Sequence, residues 1–306
     1  MNEQLVEELR KVAPVKLDEP MSRHTTFGVG GPADIYVAVK TEEQLRTVFA
    51  TAHRYGEPIT WFGSGSNMLV GDGGIRGVVI ENQFSEVNGP ERNGTGFRLR
   101  AGSGMSFASL ARRLANSGFA GIEWACGIPG SMGGAVVTNA GAYGHALGDV
   151  LIGARLVNDR GEIAEVTPEE LDLSYRNSGF TRGKFKDTMV LSVDLRVQEG
   201  DAKLLKERVR QLDQQRRGAQ PPGRNCGSVF KNPIRRSAWE YVDDVGLRGH
   251  RIGNAQITER HSNFIQNLGG ATAKDVVALI RFAQDKVREQ FGIELETEVQ
   301  FVGEFE

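Results

Sequence analysis

The stretch GIPGSMGGAVVTNAGAYG, residues 127–144, sets the first question about this chain. Six of its eighteen residues are glycine and most of the others are small. Glycine loses more conformational freedom on folding than any other residue, so the run is costly unless bare backbone is needed there. Two other segments share its character: FGVGGPA at 27–33 and FGSGSNMLVGDGG at 62–74. Glycine makes up 39 of 306 residues, above the usual ~7%, and the excess is concentrated in these segments.

Around them the chain alternates strands and helices. DIYVAV reads as a strand, and Thr41 then opens a helix, with Gln44 placed to complete a capping box. Leu45, Val48, Phe49 and Ala52 form its apolar face, Gly56 stops it, and PITWFGSGSN is a second strand running into a glycine turn. This is a βαβ unit. GVVIEN is a third strand, followed by a polar loop, the strand GFRLRAGSG and a helix from Ser106 to a stop at Gly118. DVLIGARLVNDRGEIAEV reads as a hairpin turning at 158–161, and MVLSVDLRV as a further strand. Residues 201–217 predict a charged amphipathic helix through Leu204, Leu205, Val209 and Leu212, with a domain boundary expected at RGAQPPGRN. Thr272 and Asp275 cap a last helix whose apolar stripe runs through Val276, Val277, Leu279, Ile280, Ala283 and Val287. Gly292 closes that helix, and ELETEVQFV is a final strand.

A length of 306 residues suits two or three domains. Charged residues at 25% and a formal charge of −2 lack the basic excess that nucleic acid favours. The first residues show no signal-peptide pattern, and no segment reaches the ~18 apolar residues of a membrane span. A cytoplasmic protein with neither nucleic-acid nor membrane partners, and no obligate protein partner, is expected. Cys126 and Cys226 lie outside any CxxC spacing and the five histidines are scattered, so no metal site is indicated; two buried or half-buried thiols are expected.

Gly28, Gly30 and Ala33 match GxGxxA, but that loop opens a strand instead of a helix, so it is not a dinucleotide fingerprint. No Walker lysine is present. Gly63, Gly65, Gly130, Gly133 and Gly134 can bring consecutive backbone N–H groups close to an anion such as a pyrophosphate. Ser64, Ser66, Ser131 and Thr138 add hydroxyls, and MGGAVV offers an apolar bed for a flat ring. Any one such loop is equally well read as a tight turn around a crowded core; two long ones in one domain point to a large dinucleotide in an extended groove.

In order and spacing, HTTFGVGGPAD, FGSGSNMLVGDGG and GIPGSMGGAVVTNAGAYG resemble the flavin-binding half of the UDP-N-acetylenolpyruvoylglucosamine reductase family, and C-terminal motifs extend the likeness over nearly the whole chain. The resemblance implies an α+β chain with an FAD-binding fold of the vanillyl-alcohol oxidase and p-cresol methylhydroxylase type. Its two subdomains, 1–80 and 81–200, would be followed by a C-terminal substrate-binding domain, 201–306. FAD, held non-covalently, would lie against Gly63, Ser64, Gly65, Ser66, Asn67, Ile128, Pro129, Gly130, Ser131, Gly133, Gly134, Thr138, Asn139, Gly141, Ala142 and Tyr143. The family reduces the enolpyruvyl ether of UDP-N-acetylglucosamine to UDP-N-acetylmuramate, with NADPH as hydride donor, in cytoplasmic peptidoglycan precursor synthesis.

That chemistry asks for a cation, a neutral hydrogen-bond donor and an acid. By resemblance, Arg176 in SYRNSGF would bind the substrate carboxylate, Ser228 in GSVFKNP would protonate the α-carbon, and Glu298 in LETEVQFVG would be the catalytic glutamate. Without the motifs, the same three read as a surface arginine, a strand serine and a solvated strand face. Tyr175, Lys231, Asn232, His261 and Asn263 are weaker substrate-site candidates, each equally readable as structural. Gln300 departs from the family pattern, in which many relatives carry a basic residue, and the long tyrosine-bearing loop of the larger class is lacking. An oxygen-using oxidase is the first alternative, but GSGSNML holds no histidine or cysteine to tether FAD. A sugar-nucleotide binding protein without chemistry is the second, and it predicts that Ser228 and Glu298 are dispensable.

Overall fold

The computed structural model describes residues 2–305. The chain divides into two compact units, one formed by residues 1–17, 35–64 and 77–215, the other by 18–34, 65–76 and 216–306. Among the described residues no helix is long and apolar enough to cross a membrane.

The first seven strands are β1 (Val15–Pro20), β2 (Pro32–Val39), β3 (Ile59–Phe62), β4 (Met68–Val70), β5 (Ile75–Asn82), β6 (Val87–Asn93) and β7 (Gly96–Gly102). Four of them make a sheet in the order β1-β2-β5-β3, with β3 parallel to β5; the crossover through residues 42–54 joins β2 to β3, and β5 lies between those two strands. Helix α1 (Glu3–Val12) and helix α2 (Glu42–Arg54) cover it, and Leu5, Leu9, Leu45, Val48 and Phe49 pack on Ile35, Val37, Val78 and Ile80. Thr41 caps α2 by accepting from the Gln44 N–H, while the Gln44 side chain accepts from the Lys40 N–H, one residue before the capping-box partner expected.

The larger sheet of the first unit is antiparallel. Its order runs Ile163–Val166, Leu151–Asn158, Thr188–Glu199, β7, β6. Helix α3 (Phe107–Asn116), capped by Ser106, lays Phe107, Leu110 and Leu114 into a core shared with Leu99, Val193 and Leu195. Strand β6 corrects the expectation of a polar loop over these residues. Its side chains are mostly exposed, so hydrophobic alternation could not reveal it, and its pairing with β7 supplies the hydrogen bonds. Helix α4 (Met132–Thr138) is a second correction, because it lies inside the glycine stretch.

Helix α5 (Ala202–Ala219) buries Leu205 and Leu212, but Leu204, expected on the apolar face, is 69% exposed. In the second unit, helix α6 (Ala238–Asp244) and helix α7 (Ala273–Phe291) pack on a small antiparallel sheet of Arg251–Ile252, Ala255–Ile257 and Ile265–Asn267. The Thr272 and Asp275 capping box forms as expected, and Gly292 closes α7. Val277 is only partly buried, while the rest of the predicted stripe is buried. The final strand is shorter than expected. Only Gln300–Val302 pairs, in parallel with β4, and Thr297 makes a single bridge to Phe230.

Candidate active site

Between β3 and β4 the loop 63–67 has an open main chain: among the described residues, none of its backbone N–H groups donates to a protein acceptor. Gly65 sits at φ 59°, and a Cβ there would overlap the His24 carbonyl. Gly63 likewise leaves no room, because a Cβ would strike the Ser131 hydroxyl. Close approach therefore requires glycine at both positions, and at Gly65 the left-handed backbone requires it as well. A run of unspent N–H donors flanked by Ser64 and Ser66 is the donor set that a diphosphate accepts, so this loop fits FAD.

The stretch 127–144 divides the expected donors. Gly130 has φ 125°, and its carbonyl accepts from the Phe107 N–H at 3.1 Å. Ser131 caps α4 by accepting from Gly134 N–H, Gly133 N–H donates to the Ser103 carbonyl at 2.8 Å and Met132 N–H to that of Met105 at 2.8 Å. The Gly133 and Gly134 N–H groups are thus spent inside the protein, and the Thr138 hydroxyl donates to the Gly134 carbonyl. Ile128 is buried and Pro129 exposed. Gly141 and Ala142 pair with His145 and Ala146 in a two-residue hairpin; Tyr143 and Gly144 at its tip have φ 56° and 82°, as a type I′ turn demands. The Tyr143 hydroxyl donates to the Leu212 carbonyl.

Arg176 lies at the tip of another tight turn, where Ser174 and Asn177 exchange both main-chain hydrogen bonds. Its φ is 51°, a left-handed conformation that costs a non-glycine residue about 1 kcal/mol or more. The turn is held from outside. Asn139 donates its amide to the Ser174 carbonyl at 3.0 Å and accepts from Gly148 N–H at 3.0 Å, while the Arg176 guanidinium donates to the Gly141 carbonyl at 2.8 Å. Tyr175, 61% exposed, presents its ring 5.8 Å from that guanidinium. Strain of this kind, tolerated at an arginine and fixed by a buried asparagine, marks Arg176 as a placed group.

Within the second unit the segments that carry Ser228 and Glu298 run side by side. Glu298 N–H donates to the Val229 carbonyl at 2.7 Å, directly after Ser228, and Lys231 N–H donates to the Glu296 carbonyl at 2.9 Å. Both Ser228 and Glu298 are half-buried. Cys226, buried nearby, has its thiol pushed up by burial first and then by the Glu298 carboxylate, so it stays neutral. Both cysteines are buried.

Several expected substrate contacts are engaged in this scaffold. Asn263 donates to the Phe230 carbonyl and accepts from Phe230 N–H, each at 2.8 Å. Asn232 accepts from Ala238 N–H at the start of α6, and Lys231 pairs with Glu296. His261 accepts from Asn263 N–H through Nδ1 and packs on Trp239 and Phe264; burial, then the Arg248 charge, lowers its pKa. Asn267, which the sequence did not single out, donates to the carbonyls of Phe27 and Gly28 and accepts from Gly269 and Ala271 N–H. Asp72, inside the glycine segment, caps α7 through Ala273 and Lys274 N–H. An asparagine or aspartate gives no sequence signal of whether main chain or ligand takes its bonds.

An open groove of about 710 Å³ lies elsewhere, lined by α2 and the 158–161 turn, with Arg46, Arg54 and Arg160 on its wall. It holds none of the expected site residues.

A family model for an FAD binding domain matches residues 33–167, and one for the C-terminal domain of UDP-N-acetylenolpyruvoylglucosamine reductase matches 219–302. With the flavin-fitting loop, these define a flavin-dependent oxidoreductase of mixed α and β structure, with the FAD-binding fold that the family resemblance implied. A relative named UDP-N-acetylenolpyruvoylglucosamine reductase from Alkaliphilus oremlandii is 42% identical over 304 residues, covering 97% of each chain. One of the same name from Listeria monocytogenes is 40% identical over 291 residues, covering 95% of each. The crystal structure of the Thermus caldophilus enzyme superposes with a TM-score of 0.78 at 34% identity, covering 95% of this chain and 99% of that one. The chain belongs to the UDP-N-acetylenolpyruvoylglucosamine reductase family.

Proposed function

We propose that this protein reduces the enolpyruvyl ether of UDP-N-acetylglucosamine to UDP-N-acetylmuramate at the expense of NADPH, in the cytoplasmic stage of peptidoglycan precursor synthesis. The observation that carries the reading is the pairing of the Ser228 and Glu298 segments, which sets an acid and a carboxyl group on neighbouring tracks. FAD, held by the 63–67 loop and the 127–144 stretch, supplies hydride transfer from NADPH to the terminal methylene of the substrate.

The chain's own residues handle the charge and the proton. Addition at the methylene leaves negative charge on the α-carbon and the adjoining carboxylate. Arg176 binds that carboxylate through two parallel N–H donors, an oriented arrangement a lysine cannot offer. Glu298 in its protonated form donates a hydrogen bond to the doubly charged carboxylate, strengthening as charge builds. The Ser228 hydroxyl gives its proton to the α-carbon; a hydroxyl is a weak acid, but the enolate is a strong base, so the transfer runs downhill. Solvent then returns a proton to Ser228. NADPH and substrate take turns at one site, in keeping with a chain that carries no separate nicotinamide fingerprint.

The test is the visible spectrum of the purified protein under anaerobic conditions, before NADPH, after it, and after the enolpyruvyl sugar nucleotide. Bleaching followed by recovery is expected. Ser228→Ala should leave bleaching within about twofold and slow recovery by 10²-fold or more, the usual weight of a general acid. Flavin that NADPH cannot bleach overturns the reductase reading, and equal damage to both steps in the variant removes Ser228 as the acid.

A further inference from the structure

We propose that Asn67 is a positioning residue that couples occupancy of the flavin loop to the placement of Glu298 and Ser228. The inference rests on the reading of residues 63–67 as a holder of FAD phosphate.

Strand β4 pairs in parallel with Gln300–Val302, starting at Met68 opposite Gln300. Asn67 continues that ladder one step further by two bonds of different kinds. Its carbonyl accepts from Gln300 N–H at 3.0 Å, and its side-chain amide donates to the Glu298 carbonyl at 3.0 Å. On its other side Glu298 N–H donates to the Val229 carbonyl at 2.7 Å. Glu298 therefore runs as the middle track of three, between Asn67 and the segment that begins at Ser228. The second donor to the Glu298 carbonyl, Gln300 Nε2 at 3.3 Å, belongs to an exposed side chain. Asn67 is the part of this clamp anchored by main chain.

The clamp's other end is the loop whose backbone N–H groups have no protein acceptor among the described residues. A bound anion that takes those donors fixes the backbone of Gly65, Ser66 and Asn67, and with it the direction of the Asn67 amide. Ordering the loop and ordering Glu298 are then one event, since a ligand that rigidifies a segment rigidifies what is bonded to it. A residue that only touched FAD would behave differently: its loss would weaken flavin binding and slow both half-reactions together.

The experiment uses the full chain and two variants, Asn67→Ala and the near-isosteric Asn67→Asp, which keeps the side-chain volume but not the donor. Amide hydrogen exchange across 228–231 and 296–301 is followed with and without FAD, and the two half-reactions are timed by stopped flow. In the unmodified protein FAD should slow exchange in both segments. In the variants that protection should be lost, and recovery with the enolpyruvyl sugar nucleotide should slow about tenfold, the worth of one oriented hydrogen bond, a larger loss than that in bleaching by NADPH. Exchange that FAD leaves unchanged in the unmodified protein overturns the coupling without any variant needing to fold. Equal slowing of both half-reactions overturns it too, and returns Asn67 to a plain flavin contact. Failure of NADPH to bleach the flavin sinks the reductase reading instead, and the exchange measurement still decides the coupling.

Discussion

Replacing Asn263 by alanine separates a substrate contact from a structural clamp. Its side chain satisfies both main-chain groups of Phe230, a residue 3% exposed, with two bonds of 2.8 Å. Alanine strands one buried N–H and one buried C=O, each costing about 1–3 kcal/mol, so a loss of about 2–6 kcal/mol is expected. With a denaturant slope of about 3 kcal/mol/M, the urea midpoint falls by roughly 1 M. Asn263→Asp keeps an acceptor for the N–H but turns a second acceptor toward the carbonyl, and should fall between the two. Ser228 lies two residues from Phe230, so recovery of the flavin by substrate should slow as well, while bleaching by NADPH is spared. Equilibrium urea unfolding followed by tryptophan fluorescence, beside stopped-flow half-reactions, measures both. A midpoint within 0.3 M of the parent together with a raised KM would refute the clamp and restore Asn263 to direct substrate binding.

Other outcomes follow from the same geometry. Gly65→Ala forces a methyl group onto the His24 carbonyl and a side chain into φ 59°, so the purified variant should lose its flavin on ultrafiltration; full retention of the yellow colour would count against the loop as the flavin holder. Asp194, buried under Arg98 and Arg100 at 2.6–2.8 Å, feels burial most strongly, but the two arginines outweigh it and its pKa lies below the ordinary value. Its contribution is therefore complete above the unfolded pKa of about 3.9 and is lost as pH falls through the lower folded value. Asp194→Asn should cost about 1–3 kcal/mol at pH 7, with a gap that narrows only below the unfolded pKa of about 3.9; a gap already closed at about pH 5 would contradict the assignment.

Elements with their own stop and start signals were legible in the chain. Thr41, Ser106 and Thr272 are caps because side-chain chemistry at a helix start is local, and the succession β2, α2, β3 follows from a helix-spaced face between two strands. The failures are of another kind. Helix α4 is poor in helix-forming residues and stands because Ser103 and Met105 take its first N–H groups, a tertiary fact with no local trace. Strand β6 is held by pairing and not by burial. The segments that carry Ser228 and Glu298 pair across about seventy residues of chain through Val229, and no local pattern marks such a long-range pairing. Asn232, Asn263 and Lys231 spend their polar atoms on the main chain and on Glu296.

Strand β6 bears on how the molecule behaves in a crowd. It is the outer edge of the antiparallel sheet, reading Val-Asn-Gly-Pro-Glu-Arg-Asn, and an exposed edge is a template on which another chain can add. Pro90 offers no N–H, the register slips between Asn88 and Glu91, and Glu91 and Arg92 stand out in water. The opposite edge, Ile163–Val166, is short and carries exposed Glu165. An incoming strand therefore finds an interrupted ladder and two charges to desolvate, and the sheet is terminated against fibre growth at both ends by residues that contribute nothing to its core.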